Sequence, residues 1–225
     1  MTTVKQKLHD GQPVISVNPG GVAPSVIDAL GRLGADILFI DCERTAVSVE
    51  SVPVMARLAQ AHGMAAIVRS PSKDWAQLTR YFDCGINGLV LPQVETPDEC
   101  EHLVRVARYA TKGREQDLLL IVQIESVAGL ERLDAIAAAP GIDAVLIGPN
   151  DLAHSMGFLG DTSRPEVKQA VTEICRRLRD AAVPFGLPAN AGSVRDLVGA
   201  GATLLYTTLE QFLAVGFDNF KKSMA

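Results

Sequence analysis

The sequence predicts a (β/α)8 TIM barrel with an additional C-terminal helix. Three observations favour this fold: eight short aliphatic segments recur along the 225 residues, helix-length amphipathic segments separate them, and glycines precede several of the aliphatic segments. Each such unit takes roughly 25–30 residues, so eight units account for the chain. We therefore expect one barrel domain over residues 1–225. An open, doubly wound sheet is the structural alternative.

The aliphatic segments are apolar at nearly every residue, which is expected of parallel strands that are covered on both faces. Hydrophobic residues make up 48% of the chain and aromatic residues only 5%, so the core is aliphatic, as in barrels filled by Val, Ile and Leu. The predicted strands are Pro13–Val17, Asp36–Ile40, Ala65–Val68, Gly88–Leu91, Leu118–Ile124, Ala144–Ile147, Pro184–Leu187 and Thr203–Tyr206.

The segments between the strands carry apolar residues at helical spacing. The clearest are Pro97–Ala110, with Thr96 placed to cap it, and Pro165–Ala182. The tail, Thr208–Ala225, is a further helix-like segment with the C-terminal helix at about 208–223. It concentrates phenylalanines in a chain poor in aromatics, which predicts a surface that packs on another subunit.

Charge and cysteine content exclude several classes of protein. The net charge is −5 and the isoelectric point is near 5.4, which argues against a nucleic-acid partner or an anionic membrane surface. No apolar stretch reaches the roughly 18–20 residues that a membrane span needs. The four cysteines form no CxxC pair and resemble reduced thiols. We therefore expect a soluble cytoplasmic protein.

Polar side chains follow at least five of the predicted strands at the end where barrel enzymes place their active sites. Glu125 and Asp151 follow adjacent strands, so their carboxylates are expected to converge. Two carboxylates without His or Cys ligands suit a hard cation such as Mg²⁺ or Mn²⁺. The alternative is that both acids merely cap the helices that follow. Arg69 is either a clamp for a substrate carboxylate or the partner of Asp41 or Glu43.

Five segments, FIDCER, AIVRSP, GLVLPQVET, LLLIVQIES and VLIGPNDLAHSMG, resemble in the same order the HpcH/HpaI aldolase family, the class II pyruvate aldolases. Its members include 2-dehydro-3-deoxyglucarate aldolase and macrophomate synthase. The similarity covers about residues 13–215, and the combination of QxE with GPxDLxxSMG is specific.

The resemblance implies a carbon–carbon lyase that holds Mg²⁺ or Mn²⁺, with Co²⁺ also possible, on Glu125 and Asp151. A 2-oxo acid such as pyruvate would chelate the metal, and Arg69 would stabilise the resulting enolate. The pyruvate pocket would be formed by Gln123, Gly148, Pro149 and Leu187. The resemblance also implies a homohexamer, a trimer of dimers, in which the C-terminal helix is exchanged between subunits.

Two departures from the family pattern bear on the chemistry. The motif after the second strand usually reads Asp-Gly-Glu-His, but here it is Asp41-Cys42-Glu43-Arg44, and the usual partner of that histidine matches Asp83. An arginine cannot act as a general base near neutral pH. An Arg44–Asp83 pair is instead expected to fix a cationic group, the guanidinium, over the substrate pocket. The stretch between the fourth helix and the fifth strand, Tyr109–Asp117, is also shorter than usual.

The sequence therefore leaves three functions open. The first is a metal-dependent aldolase that cleaves or forms 2-oxo-4-hydroxy acids with an unidentified acceptor. The second is a condensing enzyme of the same family, similar to the citrate-forming relatives, that takes a carboxylate- or thioester-bearing partner, which Arg44 favours. The third is a barrel that binds a 2-oxo acid without turnover. Asp41, Arg44, Arg69 and Asp83 are the catalytic candidates.

Overall fold

The computed structural model describes residues 3–224, and within them eight parallel strands close into a barrel in chain order. The ring is closed by pairing between the first and the eighth strand, so the open-sheet alternative is wrong. The strands are β1 (Val14–Asn18), β2 (Ile37–Asp41), β3 (Ala65–Arg69), β4 (Gly88–Leu91), β5 (Leu119–Ile124), β6 (Ala144–Ile147), β7 (Phe185–Pro188) and β8 (Leu204–Thr208).

Helices precede, connect and follow the strands of the barrel. In chain order they are α1 (Val4–His9), α2 (Pro24–Arg32), α3 (Val52–Ala61), α4 (Trp75–Asp83), α5 (Pro97–Ala110), α6 (Val127–Glu131), α7 (Leu133–Ala137), α8 (Pro149–Ser155), α9 (Pro165–Asp180), α10 (Val194–Gly199) and α11 (Leu209–Lys222). No membrane-crossing helix can be assigned among residues 3–224, because the helices there lack the length and apolar character that a span requires.

All eight predicted strands are confirmed, with bounds that agree to within two residues. The predicted α5 is confirmed at both ends, and its first turn is held by a capping box between Thr96 and Glu99. Helix α9 ends at Asp180, two residues before its predicted end, because Ala182 takes a left-handed backbone conformation with φ of 55°. The last predicted residue of the tail, Ala225, lies outside the described residues.

The strands bury both of their faces, as their continuous apolar pattern predicts. Ile37 and Phe39 pack inside the barrel, whereas Leu38 and Ile40, between and beyond them, pack against the surrounding helices. Leu8 of α1 joins the interior cluster, so α1 covers the end of the barrel opposite the polar rim. The apolar interior thus leaves one end, where the strands terminate, for polar side chains.

Candidate active site

Asp41, the last residue of β2, organises one side of the polar rim. Its Oδ1 accepts hydrogen bonds from the backbone N–H groups of Glu43 and Arg44, both at 3.1 Å, and this fixes the turn that follows the strand. The same carboxylate accepts from Arg69 Nε at 3.0 Å and from Arg69 Nη2 at 2.6 Å. Because the Asp41 side chain is only 2% exposed, its role within the chain is to position these two arginines.

Arg69, the last residue of β3, is held on three sides. Besides the bidentate pair with Asp41, its Nη1 lies 3.1 Å from Glu43 Oε2, and its guanidinium stacks over the Phe39 ring at 5.7 Å. Burial alone would lower the pKa of Arg69, but the hydrogen bond and the charges of Asp41 and Glu43 raise it above its usual value. The guanidinium therefore stays charged, and the predicted ion pair with Asp41 or Glu43 is formed with both.

Glu125 follows β5 and is buried, with 3% of its surface exposed. Its Oε1 accepts from the backbone N–H of Gln93 at 2.8 Å, and its Oε2 accepts a hydrogen bond from Gln123 Nε2. Burial raises the pKa of Glu125 to about 7; the Gln93 bond and Arg69 lower it, and the nearby Asp151 and Glu43 raise it further.

Gly148 allows the backbone after β6 to approach this carboxylate. A Cβ atom at residue 148 would lie 2.6 Å from Glu125 Oε2 and 2.9 Å from Gln123 Nε2. Only glycine fits this position without displacing the two buried side chains.

Asp151 lies in the first turn of α8, and its Oδ1 is 2.6 Å from Arg44 Nη2. The alternative that both acids serve as helix caps is not supported. The hydroxyl of Ser126 caps α6 by accepting from Gly129 N–H, and α8 begins after Gly148 without a side-chain cap. The two carboxylates instead face a common hollow of about 440 Å³.

Two hollows meet at the rim, and Arg44 and Asp151 line both of them. The first hollow, of about 280 Å³, is lined by Phe39, Arg44, Arg69, Gln123, Leu146, Ile147, Gly148, Pro149, Asn150, Asp151, Pro188 and Tyr206. The second hollow is lined by Arg44, Gln93, Glu95, Glu125, Ser126, Asp151, His154 and Ser155. Most of the site residues predicted from the sequence therefore come together at one end of the barrel.

Two predicted site residues lie elsewhere. The expected Arg44–Asp83 pair is not formed within the chain. Asp83 is exposed at the end of α4, in an outer hollow beside Glu50 and Arg80, and Arg44 pairs with Asp151. Leu187 is buried in β7, and it is the next residue, Pro188, that lines the first hollow.

Several contributors to the site were not assigned from the sequence. Gln93 takes a left-handed conformation with φ of 53°, which a residue other than glycine adopts only at some cost, and its N–H reaches Glu125. A polar residue two positions after the end of β4 was the only signal for it. Tyr206 lines the first hollow and accepts a hydrogen bond from Asn18 at 3.1 Å, although it reads as an ordinary strand residue.

Comparison with known proteins agrees with this geometry. The family model described as "HpcH/HpaI aldolase/citrate lyase" matches residues 19–221. A hydroxypyruvate/pyruvate aldolase of Deinococcus radiodurans is 33% identical over 240 residues, covering 96% of this chain and 84% of the relative. A 5-keto-4-deoxy-D-glucarate aldolase of Salmonella arizonae is 31% identical over 220 residues, covering 87% and 82%.

A solved structure gives the same result for the fold. The HpcH/HpaI aldolase/citrate lyase family protein of Burkholderia cenocepacia superposes with a TM-score of 0.90 at 26% identity and covers 100% of both chains. The resemblance found in the sequence motifs is thus confirmed over nearly the whole chain. The chain belongs to the HpcH/HpaI aldolase/citrate lyase family, and with it to the carbon–carbon lyases.

Proposed function

We propose that this protein is a divalent-metal-dependent aldolase that takes a 2-oxo acid of the pyruvate type and cleaves or forms 2-oxo-4-hydroxy acids. The observation that carries the proposal is Glu125: a buried carboxylate whose hydrogen-bond donors are all neutral, facing the same hollow as Asp151. Relatives named as hydroxypyruvate/pyruvate aldolases support a donor of this chemistry.

The residues present fit a divalent cation held by Glu125 and Asp151. Burying a carboxylate without a cation is costly, and the raised pKa of Glu125 expresses that cost. Gln123 Oε1 is also buried, and it has no hydrogen-bond partner among the described residues. A bound cation or a donor group on a ligand would satisfy this oxygen. Oxygen atoms of this kind suit Mg²⁺ or Mn²⁺, and Co²⁺ is a further candidate.

The metal, when bound, would supply Lewis acidity toward the oxygens of the 2-oxo acid. The chain supplies the remaining groups. In the aldol direction the methyl carbon of pyruvate loses a proton and bonds to the aldehyde carbon, and the aldehyde oxygen gains a proton. Arg69, charged and fixed by Asp41 and Glu43, lines the first hollow, where its donors favour the negative charge that develops on the keto oxygen.

The first hollow has the size and the lining for a small 2-oxo acid. Gly148 and Pro149 keep the backbone close to the carboxylate site, and Gln123 offers an amide side chain between this hollow and Glu125. Phe39 and Leu146 form an apolar floor that accommodates the methyl group and excludes water. We assign Gln123, Gly148 and Pro149 to binding of the 2-oxo acid.

Turnover tests the proposal directly. Purified protein with Mn²⁺, pyruvate or hydroxypyruvate, and a small aldehyde is expected to give a 2-oxo-4-hydroxy acid, measured by liquid chromatography with mass detection. Glu125→Gln and Asp151→Asn are each expected to lower the rate at least a hundredfold. Glu131→Gln, an exposed glutamate at the end of α6, is the matched control. Full activity of the Glu125 variant with EDTA present would overturn the metal-dependent reading.

The second candidate, a condensing enzyme with a carboxylate- or thioester-bearing partner, is favoured by Arg44, a guanidinium that lines both hollows. Replacing the aldehyde in that assay by a thioester separates the two, because attack of the enolate carbon on the thioester carbonyl would release free thiol. A barrel that only binds a 2-oxo acid would show neither product. The buried Glu125 argues against a barrel that only binds, because binding alone does not require a carboxylate whose burial costs so much free energy.

We also propose that the protein works as a homo-oligomer, a hexamer, in which α11 packs on a neighbouring subunit. Helix α11 has no buried residue among those described, and it exposes an apolar surface formed by Phe212, Leu213, Val215, Phe217 and Phe220. Light scattering after gel filtration measures the mass, and a monomer at micromolar concentration would refute this.

A cytoplasmic location is proposed as well, supported by four free cysteines of which three are buried.

A further inference from the structure

The guanidinium of Arg44 lies between the two hollows, and it differs from Arg69 in exposure and in the use of its donors. The Arg44 side chain is 56% exposed, whereas that of Arg69 is 11% exposed. Arg69 uses Nε, Nη1 and Nη2 on Asp41 and Glu43. Arg44 makes one side-chain hydrogen bond among the described residues, to Asp151, and its Nε is 4.0 Å from Glu43. Most of its five N–H donors are therefore left for a ligand.

The backbone of Arg44 is fixed although its side chain is not. Asp41 Oδ1 accepts the Arg44 N–H at 3.1 Å and so holds the residue at the mouth of the barrel. A long side chain on a fixed anchor can exchange one anionic partner for another without a change of fold. Asp151 is the anionic partner that it contacts in this structure.

We propose that Arg44 selects the second substrate, and that this substrate is an aldehyde or ketone carrying an anionic group. The inference rests on the proposed function, because a divalent ion on Asp151 would neutralise the carboxylate that now holds Arg44. The Arg44 guanidinium, which lines the first hollow, would then keep its N–H donors for a ligand. A planar fork of donors matches a carboxylate or a phosphate, and a neutral aldehyde offers no such partner.

The charges around the mouth agree with this role. The second hollow is lined by Glu95, Glu125 and Asp151, which would repel an anion in the absence of a cation. A divalent ion held there would offset two of these charges, and Arg44, whose side chain is largely exposed, adds a positive charge at the mouth. His154, exposed at the end of α8, also lines this hollow.

Paired acceptors of nearly equal shape provide the test. Succinic semialdehyde and butanal differ chiefly by a carboxylate, and glyceraldehyde 3-phosphate and glyceraldehyde differ by a phosphate. With Mn²⁺ and pyruvate, the wild-type protein is expected to show a higher kcat/KM for at least one anionic member of these pairs. Arg44→Gln is expected to lower that preference roughly ten- to hundredfold, the loss of a hydrogen bond to a charged group. The two pairs distinguish a carboxylate from a phosphate.

Two controls separate this inference from the proposed function. Arg132→Gln removes an exposed arginine that contacts the backbone carbonyl of Glu95 at 3.3 Å and should keep the wild-type preference. Exchange of the pyruvate methyl protons, which needs no acceptor, is measured in both proteins, so that a change in enolisation is separated from a change in acceptor choice. If Arg44→Gln lowers the rates with the charged and the neutral acceptor by the same factor, Arg44 has no selective role. If the wild-type protein itself catalyses no exchange with metal, the proposed function fails and this inference fails with it.

Discussion

Replacing Gly148 with alanine tests whether the close packing around Glu125 constrains the site. The added Cβ would lie 2.6 Å from Glu125 Oε2, 2.8 Å from Glu125 Cβ and 2.9 Å from Gln123 Nε2. Glu125 and Gln123 are 3% and 4% exposed, so neither can move into solvent. The backbone φ of Gly148 is −105°, which alanine adopts freely, and the effect is therefore steric.

Overpacking of this kind costs about 1–3 kcal/mol of the free energy of unfolding. For a chain of this size each 1 kcal/mol lowers Tm by roughly 2–4 °C. Urea denaturation followed by circular dichroism measures the change, and calorimetric titration with Mn²⁺ measures the metal affinity, which we expect to fall as Glu125 is displaced.

Gly199→Ala is the matched control, because Gly199 lies in α10 and a Cβ there meets no atom within 4 Å. Because Gly199 is the last residue of this helix, alanine is expected to stabilise by at most about 0.5–1 kcal/mol, the gain over glycine in the middle of a helix. If Gly148→Ala unfolds at the wild-type urea concentration and binds Mn²⁺ as tightly as the wild type, the packing argument is refuted.

Three further changes probe other parts of the site. Arg44→Gln removes the cation that pairs with Asp151 at 2.6 Å, so Mn²⁺ affinity measured by calorimetry should rise severalfold; an unchanged or weaker affinity would mean that Arg44 does not compete with the metal. Arg69→Lys cannot keep the bidentate pair with Asp41 together with the contact to Glu43. It should cost about 1–3 kcal/mol of stability and lower pyruvate turnover by roughly 10²–10³, and near wild-type values in denaturation and rate assays would contradict the role of Arg69. Burial raises the pKa of the Cys42 thiol to about 11, so at pH 8 it stays protonated and iodoacetamide should label it far more slowly in the native protein than in guanidinium. Equal rates in peptide mass mapping would show that Cys42 is accessible and reactive.

The barrel could be predicted because its signals are local and repeated. Each strand is a continuous apolar segment, and the capping box at Thr96 marks the start of α5 in the sequence itself. The end of α9 was misplaced by two residues because the left-handed conformation of Ala182 has no local signal: alanine is an ordinary helix former.

The site could be predicted only as far as the strand ends determine it. Glu125 and Asp151 follow adjacent strands of a parallel barrel, so their convergence follows from topology. The partner of Arg44 depends on side-chain reach across the barrel mouth and on helix packing. For this reason the sequence did not reveal that Arg44 pairs with Asp151, rather than with Asp83, within the chain. The contribution of Gln93 comes from a main-chain N–H, and the identity of a side chain does not report where its backbone donor lies.

The central claim is that pyruvate is enolised at a metal site on Glu125 and Asp151. Proton NMR of pyruvate in D2O tests this claim most directly. With Mg²⁺ or Mn²⁺ the wild-type protein is expected to exchange the methyl protons for deuterium, so that the methyl signal decays. EDTA and the Glu125→Gln substitution are each expected to stop the decay, while Glu131→Gln should not. Loss of the signal that is unaffected by EDTA and by Glu125→Gln, or no loss at all with metal present, would contradict the account.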